Sequence, residues 1–163
     1  MAARRNKPAT VNDDSDSIEM VFRTFLGTSG LLRSKMREYF ERFGISGAQW
    51  GVLRVLHRDE LDGNRGVRLT DIGHRVLITP PSVTGVVNRL EKLGWVTRKA
   101  SAEDQRSKFV VLTASGRRMI AKVKQGHRAR VHAVMAGLSQ DELRDLHILL
   151  GQLSKHLQNI SPE

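Results

Sequence analysis

The stretch that decides the fold covers residues 79–113 and has the sequence TPPSVTGVVNRLEKLGWVTRKASAEDQRSKFVVLT. It opens with a threonine that can cap a helix, followed by two prolines in the first turn, where a missing N–H costs nothing. Apolar side chains then repeat at helical spacing until Gly94: Val83, Val86, Val87 and Leu90. From Trp95 the period falls to two, and two β-rich runs flank a polar segment over residues 100–107. The stretch therefore predicts a helix followed by a hairpin.

A second short helix is predicted immediately before this one, with Thr70 as its cap. Its inward side chains are expected to be Leu69, Ile72, Val76 and Leu77. Because only a few residues separate it from the helix at Thr79, the pair is typical of a helix-turn-helix. The hairpin that follows is then predicted to be a wing.

Longer helices are predicted on both sides of this unit. Upstream, one amphipathic helix is expected from Ile18 until Gly44, and the next begins at Ser46, where Gln49 completes a capping box. Downstream, Thr113 and Ser139 are expected to cap two more helices. The last helix carries leucines at alternating spacings of three and four, which predict a helix–helix contact: Leu143, Leu146, Leu150, Leu153 and Leu157.

The predicted fold class is mainly α with a small β-hairpin wing, a winged helix-turn-helix joined to a helical dimerisation region. Residues 1–14 lack apolar periodicity and are predicted to be a disordered basic arm. Residues 45–113 are assigned to the winged lobe, and residues 15–44 with 114–163 to the dimerisation region.

Charge is concentrated in the middle of the chain. The formal net charge is +10, and residues 60–130 alone carry +9. A localised positive field suits a polyanion, since neutralising phosphates releases condensed counterions. A solvated basic face that only aids solubility explains the charge alone equally well.

Several other classes of function find no support in the sequence. There is no apolar run long enough to span a membrane, and the absence of cysteine fits a cytoplasmic protein. No phosphate-binding loop or nucleophile elbow is present, so an enzyme is not expected. The six histidines lack the spacing of a zinc site, and neither a metal nor a cofactor is expected.

Three motifs at matching separations resemble the MarR (multiple antibiotic resistance regulator) family over residues 18–157. The first is ISGAQWGVL at residues 45–53, and the second is SVTGVVNRLEKLGWV at residues 82–96. The third is the Asp104-Gln105-Arg106 segment with Leu112-Thr113 after it. The resemblance implies a homodimer clasped by its terminal helices, whose two winged lobes bind double-stranded DNA at a pseudo-palindromic operator.

Residues of the predicted helix that begins at Thr79 and of the wing are the candidates for DNA contact. Short polar groups opposite the valine stripe can reach base edges, and basic side chains of the hairpin supply phosphate contacts. Arg106 at the wing tip is expected to enter the minor groove, with Asp104 holding it in position as the resemblance implies. The full set is Thr79, Ser82, Thr84, Gly85, Asn88, Arg89, Arg98, Lys99, Arg106 and Lys108. For Arg89, as for Arg75, an intramolecular ion pair is the alternative.

An effector site is expected near the junction of the first two helices. Similar regulators bind small aromatic acids there, and Arg33 or Arg37 can meet a carboxylate beside Phe40 and Trp50. Core packing of the aromatic residues and solvation of the arginines is the alternative for each residue. The predicted function is a sequence-specific regulator, most simply a repressor released by an aromatic or anionic effector. An architectural DNA-binding protein without an effector and a protein-interaction module are the competing interpretations.

Overall fold

The computed structural model describes residues 13–76, 78–100 and 108–160. Six helices and three strands follow one another within these ranges. The helices are α1 (Asp13–Glu41), α2 (Gly47–Leu61), α3 (Leu69–Val76), α4 (Pro80–Lys92), α5 (Ala114–Met135) and α6 (Gln140–Asn159). The strands are β1 (Val67–Arg68), β2 (Val96–Ala100) and β3 (Lys108–Leu112). The predicted fold class, mainly helical with a small β-wing, is confirmed.

Helix boundaries follow the capping residues that the sequence offers. Ser46 and Ser139 each accept a hydrogen bond from the backbone N–H three residues later, and each forms a complete capping box. The Thr113 side chain accepts from the N–H of Gly116 at the start of α5. Gly44 and Gly94 both have positive φ, as expected for glycines that end α1 and α4. These predicted boundaries are confirmed.

Two predicted boundaries are wrong. Helix α1 begins at Asp13, so Asp13 and Asp14 belong to it and not to the predicted arm, whose remaining residues 1–12 lie outside the described part. Helix α3 begins at Leu69, which places Thr70 inside the helix; its hydroxyl donates to the Asp71 carboxylate at 3.4 Å and does not cap.

The wing is an antiparallel sheet with one more strand than the sequence predicts. The strand order is β1-β3-β2, and Val96 pairs with Leu112 while Val67 pairs with Val110. Strand β1 has only two residues, too few for a periodic signal. Gly66 precedes it with φ of 129°, and a Cβ there would lie 2.6 Å from Val111 Cγ1.

The core joins α2, α3, α4, α5 and the sheet. Leu53, Ile72, Leu90, Val110 and Ile120 are almost entirely removed from solvent. The valine stripe of α4 is buried as predicted, which turns the opposite face of that helix outward. Helix α1 adds only its C-terminal part, through Tyr39 and Phe40. The core therefore fixes α4 and the wing relative to each other.

Helices α1 and α6 leave broad apolar surfaces uncovered in the single chain. No residue of α6 is buried. Leu150 and Leu153 are 39% and 41% exposed, and α1 exposes its own row of apolar side chains: Ile18, Met20, Val21, Phe22, Phe25, Leu26, Leu31 and Leu32. None of the helices within the described ranges is long and apolar enough to cross a membrane. Exposed apolar faces such as those of α1 and α6 usually mark interaction sites.

Candidate nucleic-acid interface

The outer face of α4 carries the polar residues that the sequence singled out. Ser82, Thr84 and Asn88 are exposed, and Gly85 is partly buried. The Thr79 and Ser82 hydroxyl oxygens lie 2.9 Å apart, and Thr79 is the N-cap residue without a side-chain capping bond. Thr84 donates its hydroxyl proton to the Pro80 carbonyl at 3.2 Å, so its hydroxyl oxygen remains available only as an acceptor. The start of α4 therefore presents short polar side chains whose rotation is restricted by these hydrogen bonds.

Arg89 lies at the C-terminal end of the same face. Its Nε donates to the Gly85 carbonyl at 3.2 Å, and no ion pair involves it within the described residues. Among the described residues, Arg89 therefore does not form the intramolecular ion pair that was the alternative to DNA contact. The remaining guanidinium donors are left for another acceptor.

Arg98 connects the wing to α4, a role that the sequence did not predict. Its Nη1 donates to Glu91 Oε2 and its Nη2 donates to Asn88 Oδ1 at 2.6 Å, while its backbone N–H donates to Glu91 Oε1 at 3.2 Å. Two residues expected to contact DNA separately are thus bonded to each other. Because Glu91 neutralises the guanidinium, Arg98 supplies less free positive charge than expected. The sequence did contain a signal for this contact, because Glu91 and Arg98 carry opposite charges and lie seven residues apart on either side of the predicted turn.

The other basic residues of the wing remain open to solvent. Lys99 and Lys108 are both exposed, near the ends of β2 and β3 that face the segment over residues 101–107. Neither makes an ion pair among the residues described. Asp104 and Arg106, the predicted tip pair, lie outside the described residues. Arg68 adds a cation that sequence reasoning missed, with its guanidinium carbon 5.5 Å from the centre of the Phe109 ring.

Arg75 adopts the ion pair that the sequence left open. Its Nη1 lies 3.5 Å from Oδ1 of Asp59, a carboxylate of α2 that is almost fully buried. Asn64 donates to the same oxygen at 3.2 Å. A buried carboxylate needs such partners, because an uncompensated charge away from water is costly. The contact ties α3 to the end of α2 and thereby supports the helix-turn-helix.

A cavity of about 1150 Å³ opens beside the junction of α1 and α2. Arg33, Arg37 and Phe40 line it, as does the α3–α4 connection through Val76 and Ile78. Arg37 makes only long contacts, with its Nε 4.0 Å from Glu41 Oε1 and its Nη2 donating to Ser34 Oγ at 3.4 Å. Three of the four predicted effector-site residues therefore share one cavity, and the fourth, Trp50, is buried in the core and does not line it.

Behind this cavity lies an aromatic cluster that joins α1, α2 and α5. The His127 ring centre lies 5.2 Å from that of Trp50, 6.0 Å from Phe40 and 6.1 Å from Tyr39. The Tyr39 hydroxyl donates to the Val123 carbonyl at 2.5 Å. Burial lowers the pKa of His127, and the nearby positive charge of Arg54 lowers it further. The cluster therefore favours a neutral imidazole.

This cluster predicts that the protein loses stability on mild acidification. The unfolded chain binds a proton at His127 near pH 6.5, whereas the folded protein resists it, so the free energy of unfolding should fall as the pH drops below that value. Burial also lowers the pKa of His57, which adds to the loss of stability at low pH. Urea unfolding at pH 7.5 and 5.5 measures the change. In His127→Phe the decline should be smaller, and an equal decline would contradict the assignment.

Comparison with known proteins gives a consistent result. A family model described as MarR family matches residues 43–107. The uncharacterised HTH-type transcriptional regulator YkoM of Bacillus subtilis is 31% identical over 118 residues, which cover 72% of this chain and 73% of that protein. The chain belongs to the MarR family. Members of the family are non-enzymatic DNA-binding regulators, so the prediction that the protein is not an enzyme is confirmed.

Two further relatives extend the match of this MarR family chain beyond the winged lobe. The HTH-type transcriptional repressor YetL of Bacillus subtilis is 29% identical over 147 residues, covering 90% of this chain and 85% of that protein. The structure of AbsC, a MarR family transcriptional regulator from Streptomyces coelicolor, superposes with a TM-score of 0.80 at 25% identity. That match covers 89% of this chain and 97% of AbsC. The likeness therefore includes the terminal helices.

Proposed function

We propose that the protein is a homodimeric, sequence-specific DNA-binding regulator that represses its target promoter and is released by a small aromatic or anionic effector. The observation that carries the proposal is the continuous polar and basic surface formed by α4 and the wing. Arg98 joins Asn88 of the helix to the hairpin, and the same elements carry exposed basic residues, Arg89 on α4, Lys99 on β2 and Lys108 on β3. A major groove admits one helix, and the adjacent hairpin then meets the flanking backbone.

Two chains are needed for this mode of binding. The uncovered apolar faces of α1 and α6 lie outside the winged lobe and suit a second copy of the chain. A twofold dimer then repeats α4 about one helical turn away along one face of the duplex. Repression follows most simply from occupancy of a promoter, and the relative YetL is itself named a repressor.

The cavity beside α1 supports the effector part of the proposal. Basic residues of α1 and the α3–α4 connection both line it, so an anion bound there lies in the same cavity as the element that positions the DNA-reading helix. A ligand that favours a spacing of the two lobes unlike that on DNA must weaken DNA binding, and DNA must weaken ligand binding equally.

The test is fluorescence anisotropy of a labelled fragment from upstream of the protein's own gene, in competition with random duplex DNA. We expect a preference of about a thousandfold or more for the specific fragment, and an affinity that falls steeply with salt. Equal competition by random DNA would instead support an architectural protein. Absence of binding at low salt would contradict both and leave a protein-interaction module.

The same complex tests the effector. Titration with simple phenolic acids should release the labelled DNA, and Arg33→Ala combined with Arg37→Ala should weaken that release while leaving DNA affinity in place. Release that is unchanged in the double variant would place the effector elsewhere.

A further inference from the structure

The contact between Arg98 and Asn88 limits what the asparagine can offer to DNA. The guanidinium lies between α4 and β2, with one nitrogen on Glu91 and another 2.6 Å from Asn88 Oδ1. Only 21% of the Arg98 side chain is exposed, whereas Asn88 is exposed on the outer face of the helix. Arg98 is thus held from one side by a carboxylate and holds the asparagine on the other.

Hydrogen-bond chemistry fixes which end of the amide faces the arginine. A guanidinium has donors only, so the atom of Asn88 that faces it must be the oxygen. The amide nitrogen Nδ2 is then directed away from Arg98, and no hydrogen bond from it occurs within the described residues. A free asparagine can turn either end towards a base, but this one has a single orientation.

We propose that Arg98 is a positioning residue that makes Asn88 a hydrogen-bond donor to the base pair it meets. Guanine presents O6 and N7, thymine presents O4 and adenine presents N7 as acceptors in the major groove, whereas cytosine presents only the N4 amino group, a donor. The usual asparagine–adenine pair needs both ends of the amide, and here the oxygen is occupied. Asn88 therefore disfavours cytosine, and adenine receives only a single bond at N7 in place of the usual bidentate pair. This inference rests on the proposed sequence-specific DNA binding.

The test is selection of bound sequences from a randomised duplex library, using the full-length protein and its variants. Asn88→Asp keeps an oxygen towards Arg98 and replaces the outward donor by an acceptor. At one position of each half-site the wild-type protein should disfavour cytosine, whereas Asn88→Asp should enrich cytosine or adenine, whose amino groups donate to the carboxylate, by about tenfold. Asn88→Ala is the matched control and should show no preference at that position while the rest of the motif is retained.

Arg98→Met tests the positioning role. It keeps the aliphatic stem but frees the amide, so adenine should become enriched at the same position, an effect that loss of structure alone does not produce. Unchanged preference in Arg98→Met would overturn the positioning role, and a wild-type motif retained at every position in both Asn88 variants would overturn base contact by Asn88. In both cases the proposed function stands. If the wild-type protein selects no motif, the proposed function and this inference fail together.

Discussion

The double substitution Leu150→Glu and Leu153→Glu is expected to leave the winged lobe folded but to give a monomer with little affinity for an operator. Both leucines are about 40% exposed on a helix without buried residues, so replacing them by glutamate should lower the unfolding free energy of the single chain only slightly. In the proposed dimer, four carboxylates would have to leave water at one interface, which costs several kcal/mol. The covered apolar surface would be lost as well.

Operator affinity should fall when the dimer is lost. Two linked lobes gain about 10²- to 10⁴-fold over one lobe through their effective concentration, and a monomer forfeits that gain. Light scattering after size exclusion gives the mass, and anisotropy on the same DNA fragment gives the affinity. Lys155→Glu, an exposed position on the other side of α6, is the matched control and should remain dimeric. A double variant that keeps the mass of a dimer would show that another surface joins the chains.

Gly116→Ala is expected to cost about 3 kcal/mol or more of unfolding free energy. This glycine lies in the first turn of α5, directly against the chain that leads from α4 into β2. A Cβ there would be 2.1 Å from the Trp95 carbonyl oxygen and 3.0 Å from its carbon. Both atoms belong to backbone that other bonds hold in place, since Thr113 donates its N–H to the same carbonyl and its hydroxyl to Gly94.

The matched control is Gly85→Ala, another helical glycine. Its Cβ would meet only the end of the Arg89 side chain at 3.6 Å, so the higher helix propensity of alanine should raise stability by up to about 1 kcal/mol. Urea unfolding of both variants measures the two effects, which have opposite signs. A Gly116→Ala protein as stable as the wild type would mean that α5 can move away from the wing without loss.

Much of the candidate interface was predictable because its signals are local. The two prolines with Thr79 mark the start of α4, and the valine stripe decides which face is buried. Once that face is known, exposure of Ser82, Thr84 and Asn88 follows from helical geometry alone. Capping boxes at Ser46 and Ser139 are equally local, since each needs only residues three apart.

Contacts between distant segments could not be predicted in the same way. The sequence gives Arg98 a positive charge beside other positive charges, which favours a phosphate contact. Only the packing of β2 against α4 brings it within bonding distance of Glu91 and Asn88. The pairing of Arg75 with Asp59, the two-residue strand β1 and the clustering of His127 with three aromatic rings also depend on chain segments that meet only after folding.

The sequence by itself determined the order of helices and hairpin, the buried face of α4 and the family, because periodicity, caps and motif spacing are written in neighbouring residues. The tertiary structure alone decided which polar groups on the outer surface are free and which are occupied. That outcome depends on distances of a few ångströms between side chains far apart in sequence, and hydrogen bonds and ion pairs form only within that range.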